Sequence, residues 1–262
     1  MLHNRSLGCV TRVTPDNHTF NTVIKAYDKA GDLGKAVEVF AEMTAAGVLP
    51  DNHTFNTVIK ACDNAGDYGK VLEFFAEMKA ARVTPDVVTF NTVIKACDNA
   101  GDLGTLLEVY VEMTAAGIPP NVVTFTTLIE ACGAHGVPDD VTIIFQTAVE
   151  HGHYTAAVVS REHARSGTAR NAIDLHGCPK QAALEAVRHK LANLTARDLE
   201  LGLGIITGKG LHSDGDPVVL AAVAELLSAD CYASLGAALD PANPGVTFID
   251  PARLAAWHAA RQ

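Results

Sequence analysis

Apolar and polar residues follow a fixed pattern over the first 156 positions, and this pattern repeats every 35 residues. The segment PDNHTFNTVIKA at 15–26 returns unchanged at 50–61. In each copy, apolar residues at i, i+3, i+4 and i+7 predict one amphipathic helix, and a glycine followed by a second stripe predicts another. Because one helical pair cannot bury its own apolar face, repeated pairs stack. We predict an all-α helical-hairpin solenoid over residues 12–156, with about four repeats, the first units truncated upstream and the last degenerate.

Two positions in the first helix of each repeat are polar, four residues apart and away from the apolar stripe. They hold Asn21, Asn56 and Asn91, then Lys25, Lys60 and Lys95. Asparagine is a mediocre helix former, so an idle surface position would more naturally hold Glu, Lys or Ala. Stacking of equivalent helices would align these side chains into one ribbon. The alternative is an ordinary solvated helix face.

The pattern changes after residue 156, which predicts a second domain. The polar stretch at 157–170 is typical of a linker. Beyond it, NAIDLHG and LGLGIITGKG predict strands, Pro179 and Asp216-Pro217 each start a helix, and GVTFI at 245–249 predicts a last strand. The order β-α-β-α-β predicts a small α/β sandwich over 171–250, followed by a C-terminal tail at 251–262, so the fold class is multi-domain.

Charge and cysteine content limit the possible partners. The formal charge is −10, and residues 1–160 carry 10 Lys and Arg against 19 Asp and Glu. An RNA-binding chain this acidic must place its few lysines on one face. Cys62, Cys97 and Cys132 are 35 residues apart, so we expect buried thiols in a reducing compartment and neither disulfides nor a zinc site. No apolar stretch approaches the roughly 20 residues that span a bilayer, which argues against a membrane partner.

The repeat resembles the pentatricopeptide repeat family. The matching residues are VTFNTVIKACDNAGDLG at 88–104, F-EM-AAGV-PD at 40–51 and their copies. Members of this family bind single-stranded RNA, about one base per repeat. The fifth residue of a repeat reads the base together with the last residue, and the second residue sandwiches it. The resemblance therefore implies single-stranded RNA as the partner.

Counted from Asn17, the resemblance implies three base-reading pairs: Asn21 with Asp51, Asn56 with Asp86, and Asn91 with Asn121. The family code gives uracil for the first two pairs and cytosine for the third. The implied sandwich positions are His18, His53, Val88 and Val123, and Lys25, Lys60 and Lys95 would reach phosphates. The last residues of the repeats also directly precede a helix, so a plain N-cap role stays open beside base reading.

The fourth repeat departs from the pattern, because Thr126 replaces the Asn and Glu130 replaces the Lys. We expect it to cap the solenoid rather than to read a base. At the other end, RVTPD at 12–16 matches RVTPD at 82–86. We therefore expect the chain to be a fragment of a longer repeat protein whose further repeats carry most of the specificity.

The second domain resembles the small MutS-related (Smr) family, through DLHG at 174–177, TGKG at 207–210 followed by LHS, and NPGVTFI. Some members nick DNA or cleave RNA, and others only bind nucleic acid, so the resemblance leaves catalysis open. If the domain cleaves, the implied groups are Asp174 and His176 as metal ligand and general base or acid, and His212 for proton transfer. A divalent metal such as Mg²⁺ would then be the cofactor.

Phosphate would be bound by the loop Thr207-Gly208-Lys209-Gly210, through backbone N–H groups and one ammonium. The alternatives are a tight turn for this loop and, for Asp174 and His176, a hydrogen-bonded pair at a strand end. We expect no resident metal site elsewhere in the chain.

These features together suggest an RNA-binding protein of organellar RNA metabolism, in the chloroplast or mitochondrion by family resemblance. Its second domain would bind RNA and cleave it, or serve as a non-catalytic clamp that docks on the organellar transcription or translation machinery. A helical scaffold for proteins is a third hypothesis, favoured by the acidity of the repeats.

Overall fold

The computed structural model describes residues 15–154, 171–175, 178–207, 218–240 and 243–262. The chain divides into two compact units between Pro119 and Pro120. No helix among the described residues is long and apolar enough to cross a bilayer.

The first unit contains the predicted hairpins in its described part. Their helices are α1 (Asn17–Lys29), α2 (Leu33–Ala45), α3 (Asn52–Asn64), α4 (Tyr68–Ala80), α5 (Val87–Ala100) and α6 (Leu103–Ala115). Within each hairpin the two helices pack on each other, and α3 also packs on α1 and on α5. The first helices of successive repeats therefore lie side by side, as the 35-residue period predicts.

Aspartate side chains begin these helices. The capping residues are Asp16, Asp32, Asp51, Asp67, Asp86 and Asp102, and each accepts a hydrogen bond from the backbone N–H three residues further on. Losing such a cap typically costs about 1 kcal/mol. At the other end, α5 stops at Gly101, whose φ of 71° lies in the left-handed region that glycine adopts without strain.

Aromatic residues join one repeat to the next inside the first unit. Phe40 packs edge-on against Phe55 and Phe74, with ring centroids 5.4 and 5.2 Å apart, and Phe75 meets Phe90 in the same way at 5.6 Å. Such pairs add to the free energy gained from burying the rings. Cys62 and Cys97 are fully buried and free, as predicted.

The second unit begins with the fourth hairpin, formed by α7 (Val122–Ala134) and α8 (Pro138–Glu150). The described elements that follow are β1 (Ala172–Asp174), α9 (Lys180–Ala192), α10 (Ala196–Leu201), β2 (Leu203–Ile206), α11 (Val218–Ser228), a 3-10 turn (Ala233–Leu235), β3 (Ala238–Asp240), β4 (Asn243–Ile249) and α12 (Pro251–Ala259).

The described strands form one sheet in the order β1-β2-β4-β3. β1 runs parallel to β2, and β4 runs antiparallel to both β2 and β3. Ile173, Ile205 and Ile249 line the same core as Val187 of α9 and Val223 of α11. The helices thus bury apolar side chains against the sheet.

The C-terminal boundary differs from the prediction. Residues 251–262 were expected to be a tail, but Pro251–Ala259 is a helix capped by Asp250. Its Leu254 and Trp257 are buried in the core, and the Trp257 indole N–H donates to the Cys231 carbonyl at 2.9 Å. The tail assignment was wrong because only two of these residues are buried, which leaves a weak periodic signal. The short elements α10 and β3 were also not predicted.

The division of the chain also differs from the predicted domain boundary near 156. In the second unit, α9 packs against both α7 and α8. Glu130 of α7 accepts from the Gln181 backbone N–H at 2.9 Å, and the hydroxyls of Thr126 and Tyr154 lie 2.5 Å apart. The two side chains that replace Asn and Lys in the fourth repeat are thus occupied by protein groups, which is consistent with a capping role.

Candidate nucleic-acid interface

The fifth-position asparagines lie on the first helices of the repeats, where the sequence predicted a ribbon. Asn21, Asn56 and Asn91 stand on α1, α3 and α5, which are neighbours in the first unit. Asn56 and Asn91 are half-buried, whereas Asn21 is only 5% exposed. Three chemically identical residues thus have unequal access to solvent.

In the second repeat, the predicted reading pair is in direct contact. Asn56 Nδ2 lies 3.2 and 3.3 Å from the two carboxylate oxygens of Asp86 and also donates to Asn52 Oδ1 at 2.9 Å. On its other side, Asn56 Oδ1 accepts from Thr89 Oγ1 at 2.6 Å. These bonds determine which edge of the amide can face a ligand.

In the first repeat, the corresponding pair has different partners. Asp51 Oδ2 accepts from Asn17 Nδ2 at 3.2 Å, while Asp51 Oδ1 accepts from the backbone N–H and hydroxyl of Thr54. Asn21 Oδ1 is buried and finds no hydrogen-bond partner among the described residues. A buried carbonyl without a partner typically costs about 1–3 kcal/mol, and a ligand donor could recover that free energy.

The third pair is divided between the units, with Asn91 in the first and Asn121 in the second. Asn121 caps α7: its Oδ1 accepts from the backbone N–H of Thr124 at 3.1 Å. The N-cap role considered for Asp51, Asp86 and Asn121 is therefore confirmed for all three. It does not exclude base reading, since Asp86 caps α5 and contacts Asn56 at once.

The capping carboxylates are ionised at neutral pH. Burial of Asp86 opposes its ionisation, but hydrogen bonds from Thr89, Asn56 and the Val88 backbone outweigh burial and lower its pKa. The pKa of Asp51 is lowered in the same way, against burial, by Thr54 and Asn17. An ionised carboxylate can only accept hydrogen bonds, so each of these two residues offers acceptor oxygens to a base.

The predicted sandwich positions are exposed in both units. His18 and His53 lie on the solvent side of their helices in the first unit, and Val88 is 56% exposed. In the second unit Val123 is 54% exposed. Exposed valines at one face of a helix cost solvation free energy unless a flat apolar ligand covers them.

Two of the three predicted phosphate lysines share one acidic partner. Lys60 Nζ lies 2.8 Å and Lys95 Nζ 3.7 Å from Asp63 Oδ2, whose side chain is 2% exposed. One carboxylate neutralises only one of the two ammonium groups, so the cluster keeps a net positive charge. Lys25 is exposed on α1. Lys60 and Lys95 are thus partly neutralised by Asp63.

The C-terminal candidates are only partly described. Asp174 lies half-buried on β1 between the core residues Ile173 and Leu175. Thr207 is buried, and both its backbone N–H and its hydroxyl donate to the Gly245 carbonyl, at 3.0 and 3.3 Å. The prediction that the Thr207 N–H binds phosphate is therefore wrong, because this group extends the pairing of β2 with β4.

The remaining catalytic and phosphate-binding candidates, His176, Gly208, Lys209, Gly210 and His212, lie outside the described residues. Within the described ranges, no cluster of three or more His, Cys, Asp or Glu side chains could hold a metal ion.

Two kinds of residue were missed by reasoning from the sequence. Thr54 and Thr89 complete capping boxes with the preceding Asp, and Thr89 also orients Asn56. The D-x-x-T spacing was a usable signal for the box. Asn17 and Asn52, the first residues of their repeats, contact the reading groups. The i, i+4 spacing on one helix could have indicated the contact of Asn52 with Asn56, but no local pattern predicts that of Asn17 with Asp51.

Comparison with known proteins shows the repeats directly. The model of the PPR repeat family matches residues 15–64 and 85–134, that of the pentatricopeptide repeat domain matches 42–100, and a PPR repeat matches 123–153. A search of curated proteins found no match.

Solved structures share the fold at low sequence identity. The crystal structure of PPR10 in complex with an 18-nucleotide psaJ RNA element is 23% identical, with a TM-score of 0.52 over 86% of this chain and 28% of that chain. The crystal structure of PPR10 from maize is also 23% identical, with a TM-score of 0.51 over 84% of this chain and 28% of that chain. The PPR domain of Arabidopsis thaliana protein-only RNase P 1 in complex with tRNA is 16% identical, with a TM-score of 0.50 over 59% of this chain and 79% of that chain. The chain thus spans under a third of the PPR10 chains.

Proposed function

Since residues 15–153 of this chain are pentatricopeptide repeats, we propose that the protein binds single-stranded RNA through the first helices of its repeats. The proposal is supported by the RNA in the complexes of PPR10 and of the RNase P 1 PPR domain. It gives the exposed second-position valines and the half-buried asparagines a common purpose, since stacking and edge recognition are the two ways in which unpaired bases are bound.

The contact between Asn56 and Asp86 is the observation that carries the proposal. It places an amide and a carboxylate 3.2 Å apart at the end of a helix, beside the exposed Val88. An amide carries donors and an acceptor, and a carboxylate carries acceptors, which are the groups that the Watson–Crick edge of a pyrimidine can bond once it replaces the contact between them. We assign uracil to Asn21/Asp51 and Asn56/Asp86 and cytosine to Asn91/Asn121.

A binding assay with labelled single-stranded RNA tests this assignment. The wild-type chain should bind U/C-rich oligonucleotides more tightly than oligo-A, and Asn56→Ala should remove about 1–3 kcal/mol of that preference. Asn64→Ala is the matched control, because Asn64 lies on the same helix but bonds to Asp28. Equal binding of all RNAs would refute base reading.

The salt dependence of RNA binding measures how many lysines contact phosphates. Three phosphate contacts to single-stranded RNA predict a slope of about −2 for log K against log salt. Replacing Lys25 by Ala should lower that slope by about 0.7 and leave the U-to-A preference unchanged. If Lys25→Ala changes the base preference instead, Lys25 does not act as a phosphate contact.

For the C-terminal region, the Smr resemblance suggests RNA binding beside the repeats, with Asp174 and His176 as the groups that would support cleavage. A cleavage time course with Mg²⁺ should compare the wild type with Asp174→Ala and His176→Ala. Product formed only by the wild type supports catalysis. Retained RNA affinity without product under any divalent metal supports the non-catalytic clamp.

By the same resemblance, we place the protein in chloroplast or mitochondrial RNA metabolism, with the organellar transcription or translation machinery as a further partner. Imaging of a fluorescent fusion of the protein tests this localisation. A protein scaffold is favoured by one observation, the charge of −9 over residues 1–160. The scaffold hypothesis predicts that Asn56→Ala leaves the affinity for RNA unchanged while a protein partner still co-purifies.

A further inference from the structure

We propose that the first residue of a repeat, Asn17 or Asn52, tunes the base-reading pair beside it, and that the two act in opposite directions. Asn52 holds its reading pair ready for RNA, whereas Asn17 occupies the oxygen that RNA needs. This inference rests on the proposed function and names positioning residues beyond the fifth and last positions.

In the second repeat, the contacts of Asn52 point its carbonyl at the reading residue. Asn52 Nδ2 donates to the Thr84 carbonyl at 2.8 Å, which turns Asn52 Oδ1 toward Asn56. There it accepts one N–H of Asn56 at 2.9 Å, and the other N–H faces Asp86. Together with the bond from Thr89, this leaves Asn56 one amide orientation and one further lone pair on Oδ1 for a ligand.

In the first repeat, the equivalent residue bonds elsewhere. Asn17 Nδ2 donates to Asp51 Oδ2 at 3.2 Å. Asp51 Oδ1 already accepts two hydrogen bonds from Thr54, so Asn17 bonds to the carboxylate oxygen that is more open to a base. Asn21 Oδ1 is left buried without a partner among the described residues. RNA must therefore compete with Asn17 for Asp51 Oδ2 when the first pair reads a base.

Both repeats carry the same twelve residues, PDNHTFNTVIKA, so the difference between them arises outside this segment. The second repeat ends with Thr84 two positions before Asp86, and the first ends with Leu49 two positions before Asp51. Leu49 is 80% exposed. Two repeats with one code thus have unequal free energies of reading, because one side chain is ordered beforehand and the other must be released.

The test replaces each residue by valine, the residue that the third repeat carries naturally as Val87. Asn52→Val should weaken binding of oligo-U by about 2- to 10-fold, since the ordering of one side chain is lost. Asn17→Val should strengthen it by about 2- to 10-fold, since one competing hydrogen bond to a carboxylate is removed. Binding of oligo-A should change by less than about 2-fold in both variants, so the U-to-A ratio moves in opposite directions.

A merely structural role would lower the thermal stability of both variants and shift all RNAs together. A measurement without RNA is therefore added: the side-chain amide resonance of Asn56 should shift in Asn52→Val and stay in place in Asn17→Val. An unchanged resonance in both variants, or affinity changes of the same sign, overturns the inference while the proposed function stands. Failure of the wild type to bind any RNA overturns both.

Discussion

Replacing Asp86 by asparagine should switch the second repeat from uracil to cytosine. The Asp86 carboxylate only accepts hydrogen bonds, which suits the N3–H donor of uracil. An asparagine at this position would present a donor toward Asn56 Nδ2, which now lies 3.2 and 3.3 Å from the carboxylate oxygens. Two donors at that distance repel, so one amide must rotate and an N–H becomes available for the N3 acceptor of cytosine.

The cost of this substitution to the fold should be small. Asn and Asp are nearly equal as N-caps, and Asn121 already caps α7 with its Oδ1. The loss of charge at the start of α5 removes about 0.3–1 kcal/mol of favourable interaction with the helix dipole. The change in recognition should be larger, about 1–3 kcal/mol at a single base.

Each 1.4 kcal/mol is a factor of ten in affinity, so the preference at one base should move by about 5- to 150-fold. The assay is a binding titration of two oligonucleotides that differ by U or C at the position paired with the second repeat. Asp67→Asn is the matched control, because Asp67 caps α4 and pairs with Lys70 rather than with a reading residue. If Asp86→Asn stays folded and still prefers uracil, the last residue of the repeat is a helix cap alone.

Further predictions concern the two units. The pKa of Asp198 is lowered to about 2, because hydrogen bonds outweigh its burial. The pKa of Asp198 is lower in the folded than in the unfolded chain, so about 2 kcal/mol of stability is present above pH 4 and is lost as the pH falls toward 2. Denaturation followed by the fluorescence of Trp257, the single tryptophan, should show this loss in the wild type and not in Asp198→Asn. Leu254→Ala should lower the free energy of unfolding by about 2–5 kcal/mol in that assay, whereas a tail residue would change it by less than about 0.5. Burial raises the pKa of Cys62 to about 12 and that of Cys132 to about 11. Neither thiol should therefore react with a maleimide at pH 8 until the chain unfolds. Rapid labelling of the native protein would contradict their burial.

The repeats were predictable because their signal is local and periodic. Stripes such as Phe55, Val58, Ile59 and Cys62 are fully or nearly fully buried, and the glycines and aspartates stand at the helix ends that they indicate. The C-terminal helix was missed for the opposite reason: Leu254 and Trp257 are its only buried residues. Two apolar residues three positions apart also occur by chance in unstructured segments. Only the tertiary structure shows that they pack against a core.

For the candidate site, the sequence alone indicated Asn56 and Asp86 but not how they are held. Their side chains are polar, and hydrogen bonds between residues some 30 positions apart leave no periodic trace. Thr207 illustrates the reverse error: a glycine-rich loop suggested free N–H groups, but the first of them is bound to Gly245.

The sequence by itself determined the 35-residue period and the helix pairs with their ends, because each of these depends on neighbours within one or two turns. Only the tertiary structure decided that two identical copies of PDNHTFNTVIKA differ. Asn21 and Asn56 have the same local sequence, but Asp86 and Thr89, which bond to Asn56, lie 30 and 33 positions further along the chain. Such a hydrogen bond depends on where the fold places its donor and acceptor.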